Sequence, residues 1–295
     1  MGKLTIEQRT TPHEGFAKAG ELIEIRGTSS LTLHDRRVLN LLYERAGPRI
    51  VEDVEHIAPI CELRGNHKGA ERVKESILRL MRTIVEVPTV DRHGKPAAQL
   101  LPILSDTTIS DDDDEPGGEV LYSFSRGMRE VIKSSTHWGR VRGQVMFAFT
   151  SKYSLALYEL ISKRINLQYK DGQVFELHEF RELLGVPADK LLLNSDLLRK
   201  VIQPAELEVS KLAEFGVTIE PIRRGGTMRG AITGFRVCWW RKDIGELKDA
   251  FAELKRPKVG RLPRLRGIAE TPASEPVQID LEAYLAARNA APDAK

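Results

Sequence analysis

Arg199, Lys200, Gln203, Asn194 and Ser195 fall in one stretch, Asn194 to Glu214, where Leu198, Ile202, Ala205, Val209 and Leu212 recur at helical spacing. With that apolar stripe turned inward, the polar set occupies the outward face of the first turns. These residue types can read bases: an arginine bonds guanine O6 and N7 together, and asparagine or glutamine pairs with adenine N6 and N7. Solvated charge is the alternative on such a face. Pro204 removes one helical hydrogen bond, so a break is expected near Gln203.

Two further groups carry the same chemistry. Arg223, Arg224, Thr227 and Arg229 surround Gly225 and Gly226, where a tight hairpin tip would present guanidiniums to backbone phosphates or a minor groove. A soluble, edge-protected loop is the plainer reading. Lys68, Arg72, Glu75, Arg79 and Arg82 form a stripe opposite Val73, Ile77, Leu80 and Ile84, which suits a DNA-facing helix or an exposed face laced by Glu75–Arg79 pairing.

Catalytic signatures are missing. Gly94-Lys95 precedes Pro96 and lacks the hydroxyl of a nucleotide-binding loop, no His-x-His pair occurs, and Asp111 to Asp114 read as a solvated acidic run. The expectation is a protein without enzymatic activity, metal or cofactor.

The elements that would position these residues occur twice. Leu33 to Ala46 is a predicted helix with Thr32 as its cap and Gly47-Pro48 as its stop, and Ser151 to Leu167 is a second. Leu41-Leu42-Tyr43-Glu44 in the first recurs as Ala156-Leu157-Tyr158-Glu159 in the second, 115 residues on. A short helix (Val54 to Leu63, Phe175 to Leu184), a turn, a longer helix (Ala70 to Thr83, Asn194 to Glu214) and a strand ending at proline (Ile84 to Pro88, Val217 to Pro221) follow in each copy. Each strand enters a glycine-centred turn and a return strand; in the second, Phe235, Val237 and Trp239 alternate with Arg236, Cys238 and Trp240. The predicted fold class is α+β, mostly helical, with two tandem winged-helix domains. Their expected limits are 31–135 and 136–256, with an N-terminal arm at 1–30, an acidic loop at 106–118 and a Pro-rich, flexible tail at 257–295.

The chain of 295 residues carries a formal charge of only +3, distributed unevenly. Residues 1–135 sum to −3, residues 136–266 to +9 and residues 267–295 to −3. The +9 segment suits a polyanion ligand, because cations on phosphates release counterions; a solvated basic face is the alternative. Cys61 and Cys238 stand too far apart for a C-x-x-C site, no long apolar run occurs, and the start at Met1 lacks a signal-peptide layout. A cytoplasmic protein without membrane partners is expected.

The second copy resembles the Rep replication initiators of iteron plasmids. The resemblance rests on Phe149-Thr150-Ser151-Lys152-Tyr153-Ser154-Leu155-Ala156-Leu157-Tyr158-Glu159-Leu160, on Phe180-Arg181-Glu182-Leu183-Leu184-Gly185-Val186, and on Leu198-Arg199-Lys200-Val201-Ile202-Gln203-Pro204-Ala205. In the first copy Leu31-Thr32-Leu33-His34-Asp35-Arg36-Arg37 and Val73-Lys74-Glu75-Ser76-Ile77-Leu78-Arg79-Leu80-Met81 are also similar to the family. The resemblance adds Ser151 and Lys152 to the DNA-binding candidates. It implies binding of double-stranded DNA at directly repeated origin sites (iterons), opening of adjacent A+T-rich DNA, and recruitment of the host initiator ATPase and replicative helicase. It further implies a homodimer, formed through the first domain, that represses its own gene at an operator. A tandem winged-helix transcriptional repressor without initiator activity is the alternative.

Overall fold

Thr32 starts the first long helix. Its hydroxyl accepts the amide of Asp35 at 3.2 Å, while the Asp35 carboxylate accepts the amide of Thr32 at 2.8 Å. This reciprocal cap satisfies donors that a helix start leaves open. The structure, a computed structural model, describes residues 15–65, 70–110, 118–167, 171–227 and 230–268.

The first domain begins with strand β1 (Phe16–Ala19) and short helix α1 (Gly20–Ile23), followed by α2 (Leu33–Ala46), β2 (His56–Pro59), α3 (Ile60–Leu63) and α4 (Glu71–Arg82). The antiparallel wing β3 (Ile84–Val90) and β4 (Pro96–Pro102) follows, paired from Ile84 with Pro102 to Val90 with Pro96. Strands β5 (Leu104–Ile109) and β6 (Glu119–Phe124) add β2 to make a sheet in the order β2-β6-β5. Two positions differ from the periodicity reading. Residues 54–63 form a strand and a single helical turn instead of one helix, because His56–Pro59 pairs with Glu119–Tyr122, a partner remote in sequence. Ile84, expected in the core, is exposed at the edge of the wing.

Helix α5 (Arg126–Ser134), strand β7 (Trp138–Val141) and helix α6 (Gly143–Ala148) lead to the second domain. There α7 (Lys152–Arg164), β8 (Gly172–Glu176) and α8 (Leu177–Leu183) precede α9 (Asn194–Leu197), which runs through a π turn, Leu198–Ile202, into α10 (Gln203–Leu212). The amide of Gln203 bonds the carbonyl of Leu198, five residues back. The expected break at Pro204 is therefore a widened turn: proline cannot donate and its ring crowds the preceding turn, and the π geometry makes room for it without ending the helix. Strands β9 (Phe215–Arg223) and β10 (Ile232–Arg241) form the wing, with β10 between β8 and β9. Phe235, Val237 and Trp239 are buried, as alternation predicts.

The repeat of the sequence is a repeat of structure. Tyr43 and Tyr158 are both buried, and their hydroxyls accept the amides of Ala19 and Arg142 at 3.2 and 3.1 Å. The glutamates that follow them diverge. Glu44 is exposed, whereas Glu159 is buried and receives Lys18 Nζ at 3.0 Å and Asn40 Nδ2 at 2.6 Å. Burial pulls the Lys18 ammonium below its ordinary pKa, and Glu159 opposes that shift. Removing one partner would strand the other charge in the interior, so the pair fixes how β1 and α2 meet α7. Strand β1 also pairs with β7, from Phe16 with Val141 to Ala19 with Trp138, which draws residues expected to form an arm into the fold. One continuous hydrophobic cluster runs through both copies.

The chain continues past β10 as α11 (Ile244–Lys255) and α12 (Arg261–Leu265). The fold thus extends beyond the expected boundary at 256. Arg261 is buried and donates to the carbonyls of Ala148 at 3.0 Å, Glu253 at 3.2 Å and Arg256 at 2.9 Å.

Candidate nucleic-acid interface

Leu197, Val201, Ile202, Ala205, Val209 and Leu212 face the core from the α9–π–α10 helix. The opposite face presents Ser195, Arg199, Lys200 and Gln203, all exposed, with Asn194 half-buried at its start. Asp196 organises the two cations: its carboxylate takes Arg199 Nη2 at 3.2 Å and Lys200 Nζ at 3.0 Å. Lys200, and after it Arg199, hold the Asp196 carboxyl below the ordinary value. Both cations remain largely in solvent, so the surface carboxylate orients them at little energetic cost.

The wing stands beside this helix. Gly225 and Gly226 both adopt φ of 67°, a left-handed conformation that glycine enters freely and that lets the tip reverse with no neighbouring atoms to clash. Arg224 and Thr227 are exposed there. Arg223 is half-buried and donates to the carbonyl of Gly230 at 3.0 Å, bracing the hairpin. Arg229 lies outside the described residues, as does Lys68. Between the helix and the base of the wing runs an open groove of about 690 Å³ whose lining includes Arg199, Gln203, Leu207, Thr218, Trp240 and Arg266. Trp240 lies against Gly216, where any β-carbon would collide with its indole.

The other candidates are placed differently. Ser151 caps α7, accepting the amide of Ser154 at 3.0 Å. Lys152 donates to the carbonyls of Ser29 at 2.6 Å and Leu31 at 3.1 Å in the first domain. Burial, reinforced by nearby Arg36, brings its pKa down to about 8. Arg79 forms a bidentate bridge to Asp35, with Nε at 2.9 Å and Nη2 at 3.0 Å, and Ser76 donates to the same carboxylate at 2.6 Å. Arg79 thereby ties α4 to the start of α2, while Arg72 on the same helix is exposed. Ser195, Arg199, Lys200 and Gln203 share the exposed face of the α9–π–α10 helix, Arg224 and Thr227 are exposed at the wing tip, and Ser151, Lys152 and Arg79 make contacts within the protein.

Several organising residues carry no periodic signal. Arg37 Nη2 donates to the carbonyls of Phe149 at 2.6 Å, Phe147 at 3.1 Å and Met146 at 3.4 Å, gripping the segment between α6 and α7 from α2. Glu208, buried on α10, accepts both the amide (3.2 Å) and the hydroxyl (2.5 Å) of Thr150. The linker is therefore fastened to the back of the helix whose front carries Arg199 and Lys200. On a helical wheel Arg37 and Glu208 read as surface charge, and only the three-dimensional path of the linker gives them partners.

Among the described residues no group of histidine, cysteine or acidic side chains is arranged to hold a metal ion, and no helix is long and apolar enough to cross a membrane. No curated protein matches the chain. The family model described as the initiator replication protein WH1 domain matches residues 16–162, and that described as the initiator Rep protein WH2 domain matches residues 176–237. Tandem winged helices in this order, with a basic helix and wing exposed on the second, place the chain in the Rep family of plasmid replication initiators, a family of DNA-binding proteins.

Proposed function

We propose that the protein initiates replication of the plasmid that encodes it by binding directly repeated duplex sites at the origin, chiefly through its second winged helix. The observation that carries this reading is the exposed Ser195, Arg199, Lys200 and Gln203 face of the α9–π–α10 helix, with Arg224 exposed at the wing tip, in a chain of the initiator family. Recognition is divided between the two: the helix reads base edges in the major groove, and the wing holds phosphates. Binding energy then promotes opening of an adjacent A+T-rich stretch and positions the host initiator ATPase and replicative helicase. Ser151, Lys152 and Arg79 support the DNA-binding surface by holding its scaffold, with Arg72 and Lys68 in a secondary contact region. The acidic first half suits dimerisation, and a dimer at an operator would repress the gene. The chemistry is that of binding, without a catalytic residue.

Footprinting on the DNA flanking the gene tests this reading. Protection of several direct repeats beside an A+T-rich stretch supports initiation; protection of one inverted repeat over a promoter supports a repressor instead. Nicks covalently attached to protein, after incubation of supercoiled origin DNA with Mg²⁺, would replace both with an enzyme.

A further inference from the structure

The turn that leads into the Arg199 helix contains Leu191, Leu192 and Leu193, and it is held in an unfavourable shape. Leu191 has φ of 54°, the one non-glycine residue at positive φ among those described. A branched apolar residue there is strained and persists only when its surroundings over-determine it. Arg181 supplies that constraint from α8: Nη1 donates to the carbonyl of Leu191 at 2.9 Å, and Nη2 to those of Lys190 at 2.6 Å and Pro187 at 3.2 Å.

The result is a division of the three leucines. Leu191 packs against the core, whereas Leu192 and Leu193 are 73% and 68% exposed. Leu193 directly precedes Asn194, the first residue of the helix, so the pair stands at the end that a helix-turn-helix places nearest the base edges. The turn itself does not require apolar residues: the matching segment of the first domain is Arg64-Gly65-Asn66-His67-Lys68-Gly69.

The exposed Arg199 and Lys200 lie on the helix that follows Leu192 and Leu193 and suit a polyanion, and the apolar feature on the floor of a major groove is the C5 methyl of thymine. The geometry points to Leu192 and Leu193 as a thymine-methyl reader, adding discrimination for T·A pairs that the polar residues of the helix do not supply. This inference rests on the DNA-binding reading above and refines it: the preferred repeat carries thymines where the helix start meets the groove.

The test uses the full chain and a duplex from the flanking DNA that it footprints, prepared with thymine or with deoxyuridine, which lacks the methyl. Wild type should bind the uracil duplex roughly four- to fifteenfold more weakly, the range for one or two methyls removed from an apolar contact. The Leu192→Ala, Leu193→Ala double variant should lose a similar factor on the thymine duplex and bind both duplexes equally. Arg199→Ala should weaken both and keep their ratio. Equal binding of the two duplexes by wild type, or an unchanged ratio in the leucine variant, overturns the inference while Arg199-dependent binding preserves the initiator reading. A leucine variant that loses self-association but keeps the thymine preference also overturns it, assigning the pair to a second copy of the chain. Failure to bind any flanking duplex overturns both.

Discussion

Arg199 and Arg224 are both exposed guanidiniums, one on a helix face and one at a wing tip, and the proposed function gives them different work. Arg199 is oriented by Asp196 on a helix face, and the proposal has it contact guanine bidentately; Arg224 sits at a glycine-rich tip, and the proposal has it hold phosphates. Arg199→Ala should cost about 1–3 kcal/mol on the footprinted repeat and relax preference at one base pair, measured against single-base variants of that repeat. Arg224→Ala should weaken all sequences alike and lower the slope of log K against log salt by about one. Unchanged binding in both variants would move the interface elsewhere. The residue types and their spacing made this face legible, since apolar positions at helical intervals determine which side chains are left outside. The fixed orientation of Arg199 and Lys200 by one carboxylate follows from the same i, i+3 and i, i+4 geometry.

At the scale of elements, Asp35 links two helices of the first domain. It caps α2 and receives both Arg79 and Ser76 from α4. Burial would raise its carboxyl, but the hydrogen bonds from Arg79, Ser76 and Thr32 outweigh burial and hold it below the ordinary value of 3.8. Because the folded state binds this proton less readily than the unfolded one, the stabilisation is complete above about pH 4. It is lost as pH falls through the lowered folded value. Asp35→Asn should cost about 1–3 kcal/mol at neutral pH, toward the lower end because Arg79 is a third exposed and screened, and should flatten the acid side of the stability profile. Urea unfolding of both proteins between pH 2 and 7 checks this; parallel pH profiles would sink it. The cap at Thr32 was readable from sequence. The strand at His56–Pro59 was not, because its pairing with Glu119–Tyr122 outweighs the helical pattern of the residues around it.

Across the whole molecule, the segment between α6 and α7 is held on three sides. Arg37 grips it from α2, Arg261 from the C-terminal extension, and Glu208 from the helix whose exposed face carries Arg199 and Lys200. The buried Lys18–Glu159 pair and the β1–β7 pairing add to this joint. Arg37→Ala should remove roughly 1.5–3 kcal/mol, since it leaves buried carbonyls without their charged donor. It should also separate one cooperative thermal transition into two and expose the segment around Phe149 and Thr150 to protease. Calorimetry and limited proteolysis measure both effects; a single transition of unchanged midpoint would show that the domains are held by other contacts. The unequal charge of the chain belongs to this scale too. Residues 136–266, at +9, carry the basic charge that the proposed function uses for sequence-independent attraction to DNA, between two acidic segments.

By itself the sequence determined the two helix-strand repeats, the winged-helix class and the polar face of the Arg199 helix. Each of these depends on local periodicity, caps and turn residues. The tertiary structure alone decided that Lys152 and Arg79 pair with groups of the protein, that residues 257–265 return to the fold through Arg261, and that Leu192 and Leu193 project beside the helix start. A charged or apolar side chain looks the same in sequence whether it meets water or a partner a hundred residues away, and only folding brings those partners within bonding distance.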